Sequence, residues 1–204
     1  MKNPIRIFAS TFGTIMALAG LEHGIGEFLQ GKVAPAGLVF PSWPEAAFFR
    51  NLGGEPALSI LPNLRITGIL AVLISLALLA WSLFFVQRKH GGLGMMLLSA
   101  ALLLFGGGIF PPVFGLLTGA IATRIHAPLR WWRVHLSNGI RAFLAALRPW
   151  ALAACVLGFL TLTPGMGLLG YFFGLDSVLF ILAVGGFVLV ALGLTVISSF
   201  AAAA

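Results

Sequence analysis

The chain has little of what a soluble or secreted protein needs. Only 8% of its 204 residues are charged, five are acidic and one is cysteine. Soluble domains average about 25% charged residues, so a soluble globular protein is excluded, and so is a disordered chain. The single cysteine, Cys155, excludes an intrachain disulfide, a Cys-x-x-Cys redox pair and a cysteine-based zinc site. We interpret Cys155 as a small apolar residue facing lipid or the core.

Long apolar runs make up most of the sequence instead. Hydrophobic residues account for 60% of the chain, and the mean hydropathy is +1.08. A helix needs roughly 20 apolar residues to cross about 30 Å of hydrocarbon. The runs predict an all-α, polytopic membrane bundle of about six transmembrane helices, with residues 1–200 as a single domain. The predicted spans are 5–29, 63–87, 93–109, 111–126, 150–169 and 177–199, and the alanines 201–204 look like a cloning remnant.

The stretch from Leu93 to Ile125 is ambiguous because it is too long for one span. Its centre carries three glycines and two prolines, which cannot continue a regular helix. Either two short helices meet at a tight turn, or one helix is broken or re-entrant, which would reduce the count to five spans plus this segment. The predicted hinge residues are Gly106, Gly107, Gly108, Pro111 and Pro112.

The positions of the basic residues favour six spans with both termini in the cytoplasm. In that topology Lys32, Arg50 and Arg65 are external, and the other nine of the twelve Lys and Arg residues are cytoplasmic. Five spans with an external amino terminus place eight inside and four outside, so the positive-inside rule favours six by one residue. We therefore predict a multi-pass protein of a bacterial inner membrane.

A basic amphipathic segment is predicted at residues 129–148. At about 100° per residue its arginines share one face of a helix and its apolar residues share the other. Such a helix lies in the membrane interface, with its arginines toward anionic lipid headgroups. The predicted interfacial residues are Arg130, Trp131, Trp132, Arg133, Arg141 and Arg148. We expect lipids as partners, with a membrane protein or a second copy of the chain as a further option, and no nucleic acid.

The candidate site lies near the end of the first predicted span. Glu22, His23 and Glu27 follow one another in an otherwise apolar helix, on an arc of about 140° that also carries small residues. Ionisable groups in a span usually face protein or water, and small residues allow a second helix to approach. Arg65 and Asp176 are expected at the same depth, and Arg65 is the expected ion-pair partner of Glu22 or Glu27.

Three interpretations of this cluster stay open. It can be a structural polar contact between helices, a binding site for a proton, cation or small polar solute, or a metal site. His23 and Glu27 at positions i and i+4 can share a metal ion. However, two ligands on one helix are incomplete, so no metal site is assigned.

These residues favour a small membrane protein that binds or transports a small solute or ion through an outer-leaflet pocket. The predicted ligand-binding residues are Glu22, His23, Glu27, Arg65 and Asp176. The alternative is a non-catalytic accessory subunit of a larger membrane complex. A third option is an enzyme acting on lipid, with Glu22 and His23 as acid and base. No cofactor is predicted, and no catalytic residues are assigned.

Overall fold

Helices make up most of the described structure, and a short β-hairpin lies between the first two of them. A computed structural model of the chain describes residues 3–42, 54–174 and 177–204. The strands β1 (Val39–Ser42) and β2 (Glu55–Leu58) pair antiparallel, with Ser42 opposite Glu55. The helices are α1 (Pro4–Gln30), α2 (Leu64–Ala80), α3 (Gly91–Leu104), α4 (Phe110–Ala122), α5 (Arg130–His135), α6 (Asn138–Leu160), α7 (Met166–Phe173) and α8 (Val178–Ala203). The helical prediction is confirmed, and the hairpin is a departure from a purely all-α protein.

Among the described residues, four helical segments are long and apolar enough to cross a membrane. They are Pro4–Gln30, Leu64–Phe85, Asn138–Leu160 and Val178–Ala203, the second of which includes a π-helical turn, Trp81–Phe85. Many large apolar side chains on these segments are exposed, among them Leu18, Leu73, Leu157 and Val190. A helix whose outward-facing side chains are apolar is suited to the hydrocarbon interior of a membrane. The chain is therefore a membrane-embedded helical protein.

The ambiguous stretch forms two separate antiparallel helices, α3 and α4. Their 14 and 13 residues extend about 21 and 20 Å, less than the hydrocarbon thickness of about 30 Å. Gly92 lies against Gly119 of the other helix, so the two backbones approach closely. Pro111 and Pro112 lie in the first turn of α4, where a helix needs no N–H donor. The prolines begin a helix rather than break one, and six crossings remain a prediction.

The predicted interfacial helix 129–148 is not one element. The short helix α5 ends at His135, and α6 begins at Asn138 after Ser137, whose side chain accepts a hydrogen bond from the backbone N–H of Ile140. A serine in this position is a typical helix N-cap. Helix α6 then continues through Pro149 into the apolar segment, as membrane helices with a proline can do. The second half of the predicted interfacial helix is therefore the first part of a long apolar helix.

The described structure divides into two compact units, and the single domain over residues 1–200 stays a prediction. One unit is Ala9–Thr123, and the other is Arg124–Ala204 with the first residues of α1. The division follows from local packing, because α3 packs chiefly on α4 and α6 chiefly on α8. In the second unit Cys155 is buried, and its thiol lies 3.9 Å from the carbonyl oxygen of Val188.

Helices α1 and α2 cross at a pair of glycines. A Cβ atom on Gly24 would lie 2.8 Å from the backbone nitrogen of Val72, and one on Gly68 would lie 2.5 Å from the carbonyl oxygen of Gly24. Asn63 begins α2 by accepting hydrogen bonds from the backbone N–H groups of Arg65 and Ile66. Small residues at a helix crossing allow this backbone contact. The crossing brings the end of α1 beside the beginning of α2.

Candidate functional site

Glu27 is the most deeply buried ionisable side chain of the predicted cluster. It is 0% exposed, and neither of its carboxylate oxygens has a hydrogen-bond partner among the described residues. Its Oε2 lies where a side chain on Gly106 would begin. Gly106 has φ +81°, a backbone conformation that only glycine adopts readily. The absence of a side chain at position 106 therefore makes room for the carboxyl group.

Two polar groups near Glu27 have hydrogen-bond partners other than the carboxylate. Thr67, which also contacts Gly106 through its methyl group, has its hydroxyl 2.8 Å from the hydroxyl of Ser59, and both residues are buried. The backbone N–H of Gly106 donates to the carbonyl oxygen of Leu58 at 2.9 Å. Buried polar atoms in proteins are nearly always hydrogen-bonded. The unpartnered carboxyl of Glu27 is therefore a feature that needs an explanation.

His23 lies one helical turn before Glu27 and contacts the hairpin. Its Nε2 is 2.9 Å from Oε1 of Glu55 on β2, in a contact that is close but lacks the alignment of a hydrogen bond. His23 is 5% exposed, and the Glu55 side chain is 26% exposed. Gly108, with φ +77°, leaves room for the imidazole, since a Cβ atom there would lie 2.5 Å from Nε2. The two glycines of the α3–α4 link thus accommodate the two buried side chains.

The α3–α4 link is joined to β2 by backbone hydrogen bonds. The N–H groups of Gly106 and Ile109 donate to the carbonyl oxygens of Leu58 and Pro56, at 2.9 and 3.2 Å. Phe105 forms an isolated antiparallel bridge with Ser59. The hairpin and the link therefore form one covering layer over Glu27 and His23. These bonds tie one side of the link to a strand, and the hinge role of its glycines and prolines stays a prediction.

Of the other predicted ligand-binding residues, Glu22 and Arg65 are not buried with this pair. Glu22 is exposed, although it is near enough to His23 and Glu55 to interact electrostatically. Arg65 is also exposed, and its guanidinium lies over the Phe28 ring, 5.7 Å from the centroid. The described residues show no ion pair of Arg65 with Glu27, and the arginine lies instead over the ring of Phe28, the next residue of α1. Asp176 lies outside the described residues.

Replacing Arg65 with alanine should have a small effect on stability. An exposed cation–π contact contributes about 0.5–1 kcal/mol, whereas removing the partner of a buried carboxylate costs about 3–5 kcal/mol. We expect Arg65→Ala to lower the free energy of unfolding by less than about 1 kcal/mol, measured in detergent micelles. A loss comparable to that of a broken buried ion pair would show that Arg65 interacts with Glu27 in the folded protein.

The predicted interfacial residues lie on two helices of the second unit. Trp132 stacks on Phe200 with ring centroids 5.4 Å apart, and the Arg133 Nε donates to the carbonyl oxygen of Ala204 at 2.7 Å. Arg141 donates to the side chain of Asn138 at 2.8 Å. Arg130 and Trp131 are exposed, and Arg148 is partly buried. Their role toward lipids stays a prediction.

Within the described residues, no group of three or more His, Cys, Asp or Glu side chains is arranged to hold a metal ion. Neither a protein-family model, nor a curated protein, nor a solved structure matches the chain. The fold and the site therefore define its class by themselves. It is a helical membrane protein in which a buried carboxyl and a buried imidazole lie beneath a hairpin and a glycine-rich link.

Sequence reasoning missed Glu55 as a partner of His23. The two residues are 32 positions apart, and Glu55 belongs to a connection that the hydropathy pattern assigned to no element. The glycine-rich sequence before it is a turn signal, but no local pattern indicates which helix a short hairpin will contact. The pairing depends on the bonds between β2 and the α3–α4 link.

Proposed function

We propose that this chain is a membrane protein that binds a small cation at Glu27 and moves it across the membrane. The observation that supports the proposal is the carboxyl group of Glu27, fully buried and without a hydrogen-bond partner in the described structure. An isolated carboxylate in apolar surroundings costs several kcal/mol even after the protein relaxes. A bound cation, including a proton, removes that cost.

The surroundings of Glu27 favour a cation over a neutral or anionic solute. The nearby hydroxyls of Ser59 and Thr67 pair with each other, and the N–H of Gly106 is bonded to Leu58. None of these groups bonds to the carboxylate in the described structure, so the ligand itself would supply positive charge or a proton. Ionisable residues inside membrane segments typically mark such ion pathways.

The same proposal includes a location and an orientation. The excess of basic residues on one side favours both termini in the cytoplasm of a bacterial cell, with six crossings and the Glu27 site in the outer leaflet. Arg130, Arg133, Arg141 and Arg148 would then contact anionic headgroups at the cytoplasmic face. Cysteine accessibility to a membrane-impermeant reagent, with cysteine introduced at position 31 or 90, tests this orientation.

Removing the carboxylate should abolish cation movement. We expect purified wild-type protein in liposomes to take up H⁺ or Na⁺ when a membrane potential is imposed with K⁺ and valinomycin. Dyes for each ion, enclosed in the vesicles, report the uptake. Glu27→Gln keeps the size of the side chain but cannot carry charge, so its uptake should fall to that of protein-free vesicles.

Ser99→Ala is the matched control for this substitution. The Ser99 hydroxyl is also buried and unpartnered in the described structure, but it lies against Gly115, between α3 and α4. Its removal should leave the ion flux unchanged. Equal flux through wild type and Glu27→Gln, or wild-type flux no greater than that of empty vesicles, would contradict the proposal.

A second candidate function is that of an accessory subunit, and one surface favours it. Gly185, Gly186 and Gly193 on α8 have no heavy atom of the described structure within 4 Å of where a Cβ atom would stand. Open small residues on a membrane helix suit close packing against another helix. If this function is right, Gly186→Leu should reduce the mass of the native assembly in gently solubilised membranes. An unchanged mass would argue against it.

A further inference from the structure

Three ionisable side chains, Glu55, His23 and Glu27, become progressively more buried from the hairpin toward the core of the unit Ala9–Thr123. The Glu55 side chain is 26% exposed, His23 is 5% exposed and Glu27 is 0% exposed. The first two are in contact, with 2.9 Å between Oε1 of Glu55 and Nε2 of His23. His23 and Glu27 are four residues apart on α1, a spacing that places side chains next to each other on one helix face.

The covering layer holds His23 in this intermediate position. The imidazole lies against Gly108, and the Glu27 carboxyl lies against Gly106, two residues earlier in the same link. The link from Leu104 to Ile109 contains no ionisable residue. The only other ionisable group near the pair on α1 is Glu22, which is exposed, while the guanidinium of Arg65 on α2 is stacked on Phe28.

Imidazole is the side chain that gains and releases a proton most readily near neutral pH. We infer that His23 relays protons between Glu55 and Glu27, so that the cation bound at Glu27 is a proton that enters from the hairpin side. The inference rests on the proposed function and names its ion. Glu55 takes no part in binding at Glu27 itself and acts as the exposed end of the relay.

The transfer proceeds in two balanced steps. A protonated Glu55 carboxyl first gives its proton to Nε2 of His23, leaving a carboxylate and an imidazolium. The imidazolium then gives a ring proton to the Glu27 carboxylate, which becomes the neutral acid, and the imidazole is neutral again. Glu55 regains a proton from water, and each step is reversible.

The rate at which Glu27 gains a proton tests the relay. Time-resolved infrared spectroscopy after a rapid pH change, on protein in lipid nanodiscs, follows the carboxylic-acid C=O band that Glu27→Gln removes. A positioned general acid–base group accelerates proton transfer by about 100-fold or more. We expect His23→Gln to slow the appearance of this band by about 100-fold while leaving its final amplitude unchanged. Glu55→Gln should slow it as well.

Two further variants separate a relay from a merely structural role. His23→Ala leaves space for a small carrier, so added imidazole should restore its rate, whereas His23→Gln should not respond. His90→Gln replaces an exposed histidine immediately before α3, and its rate should equal that of wild type. If His23→Gln does not fold, Glu55→Gln provides the same test from the exposed end.

The outcomes distinguish this inference from the proposed function. An unchanged rate in both His23→Gln and Glu55→Gln, with the Glu27 band present, would overturn the relay and leave a proton site at Glu27. Na⁺ uptake that depends on Glu27, with no carboxylic-acid band at any pH, would also overturn the relay while supporting the cation site. Slow protonation of Glu27 in His23→Ala, restored by added imidazole, would establish the relay.

Discussion

The variant Gly68→Ala is expected to lose at least about 3 kcal/mol of folding free energy, the upper range for overpacking a tight contact. The added methyl would overlap the backbone nitrogen of Phe28 and lie 2.5 Å from the carbonyl oxygen of Gly24. Both are backbone atoms of α1, so no side chain can rotate away, and α1 and α2 must separate. Thermal unfolding in detergent, followed by tryptophan fluorescence, measures the loss.

Gly186→Ala is the matched control, because it makes the same change in another long apolar helix. No heavy atom of the described structure lies within 4 Å of the position its Cβ would take. It should be neutral, or stabilising by up to about 1 kcal/mol through helix propensity. If both alanine variants melt at the wild-type temperature, α1 and α2 do not cross at Gly24 and Gly68.

The second large effect is expected for Gly106→Ala. Alanine at φ +81° is strained, and its methyl would occupy the position of the Glu27 Oε2 and of the Thr67 methyl group. Backbone strain contributes about 1–2 kcal/mol and overpacking about 1–3 kcal/mol, so we expect a total loss of about 3 kcal/mol. The displaced carboxyl should also lose its ion, so the vesicle uptake assay should show little or no flux.

The variant Gly31→Ala separates the cost of backbone strain from the cost of overpacking. Gly31 ends α1 with φ +86°, and nothing lies within 4 Å of where its Cβ would stand, so alanine there should cost only the strain of about 1–2 kcal/mol. The double variant Gly106→Ala with Glu27→Ala should recover part of the loss, giving a coupling energy of about 1 kcal/mol. Equal losses in Gly31→Ala and Gly106→Ala would show that Glu27 does not lie against the link.

The polar cluster of α1 shows that helical periodicity alone does not distinguish a buried side chain from an exposed one. Glu22 and Glu27 are at opposite edges of an arc of about 140°, whereas His23 and Glu27 differ by about 40°. The buried face of α1 is centred on Gly20, Gly24 and Glu27, which leaves Glu22 on the exposed edge. A helical wheel ranks residues by angle but does not show where the neighbouring helix will lie. It therefore grouped an exposed carboxylate with a buried one.

The membrane class and the approximate positions of α1, α2 and α8 follow from the sequence alone, because hydrophobic runs of sufficient length have few other stable states. The small-residue face of α1 and the site near its end were also readable, since charged groups in apolar helices are rare. Only the tertiary structure decided that α3 and α4 are separate helices, and that Glu55 contacts His23. It likewise showed that Glu27 has no hydrogen-bond partner among the described residues, while Arg65 stacks on Phe28. These features depend on contacts between residues that are far apart in the chain. Such contacts leave no repeating pattern in the sequence from which they could be predicted.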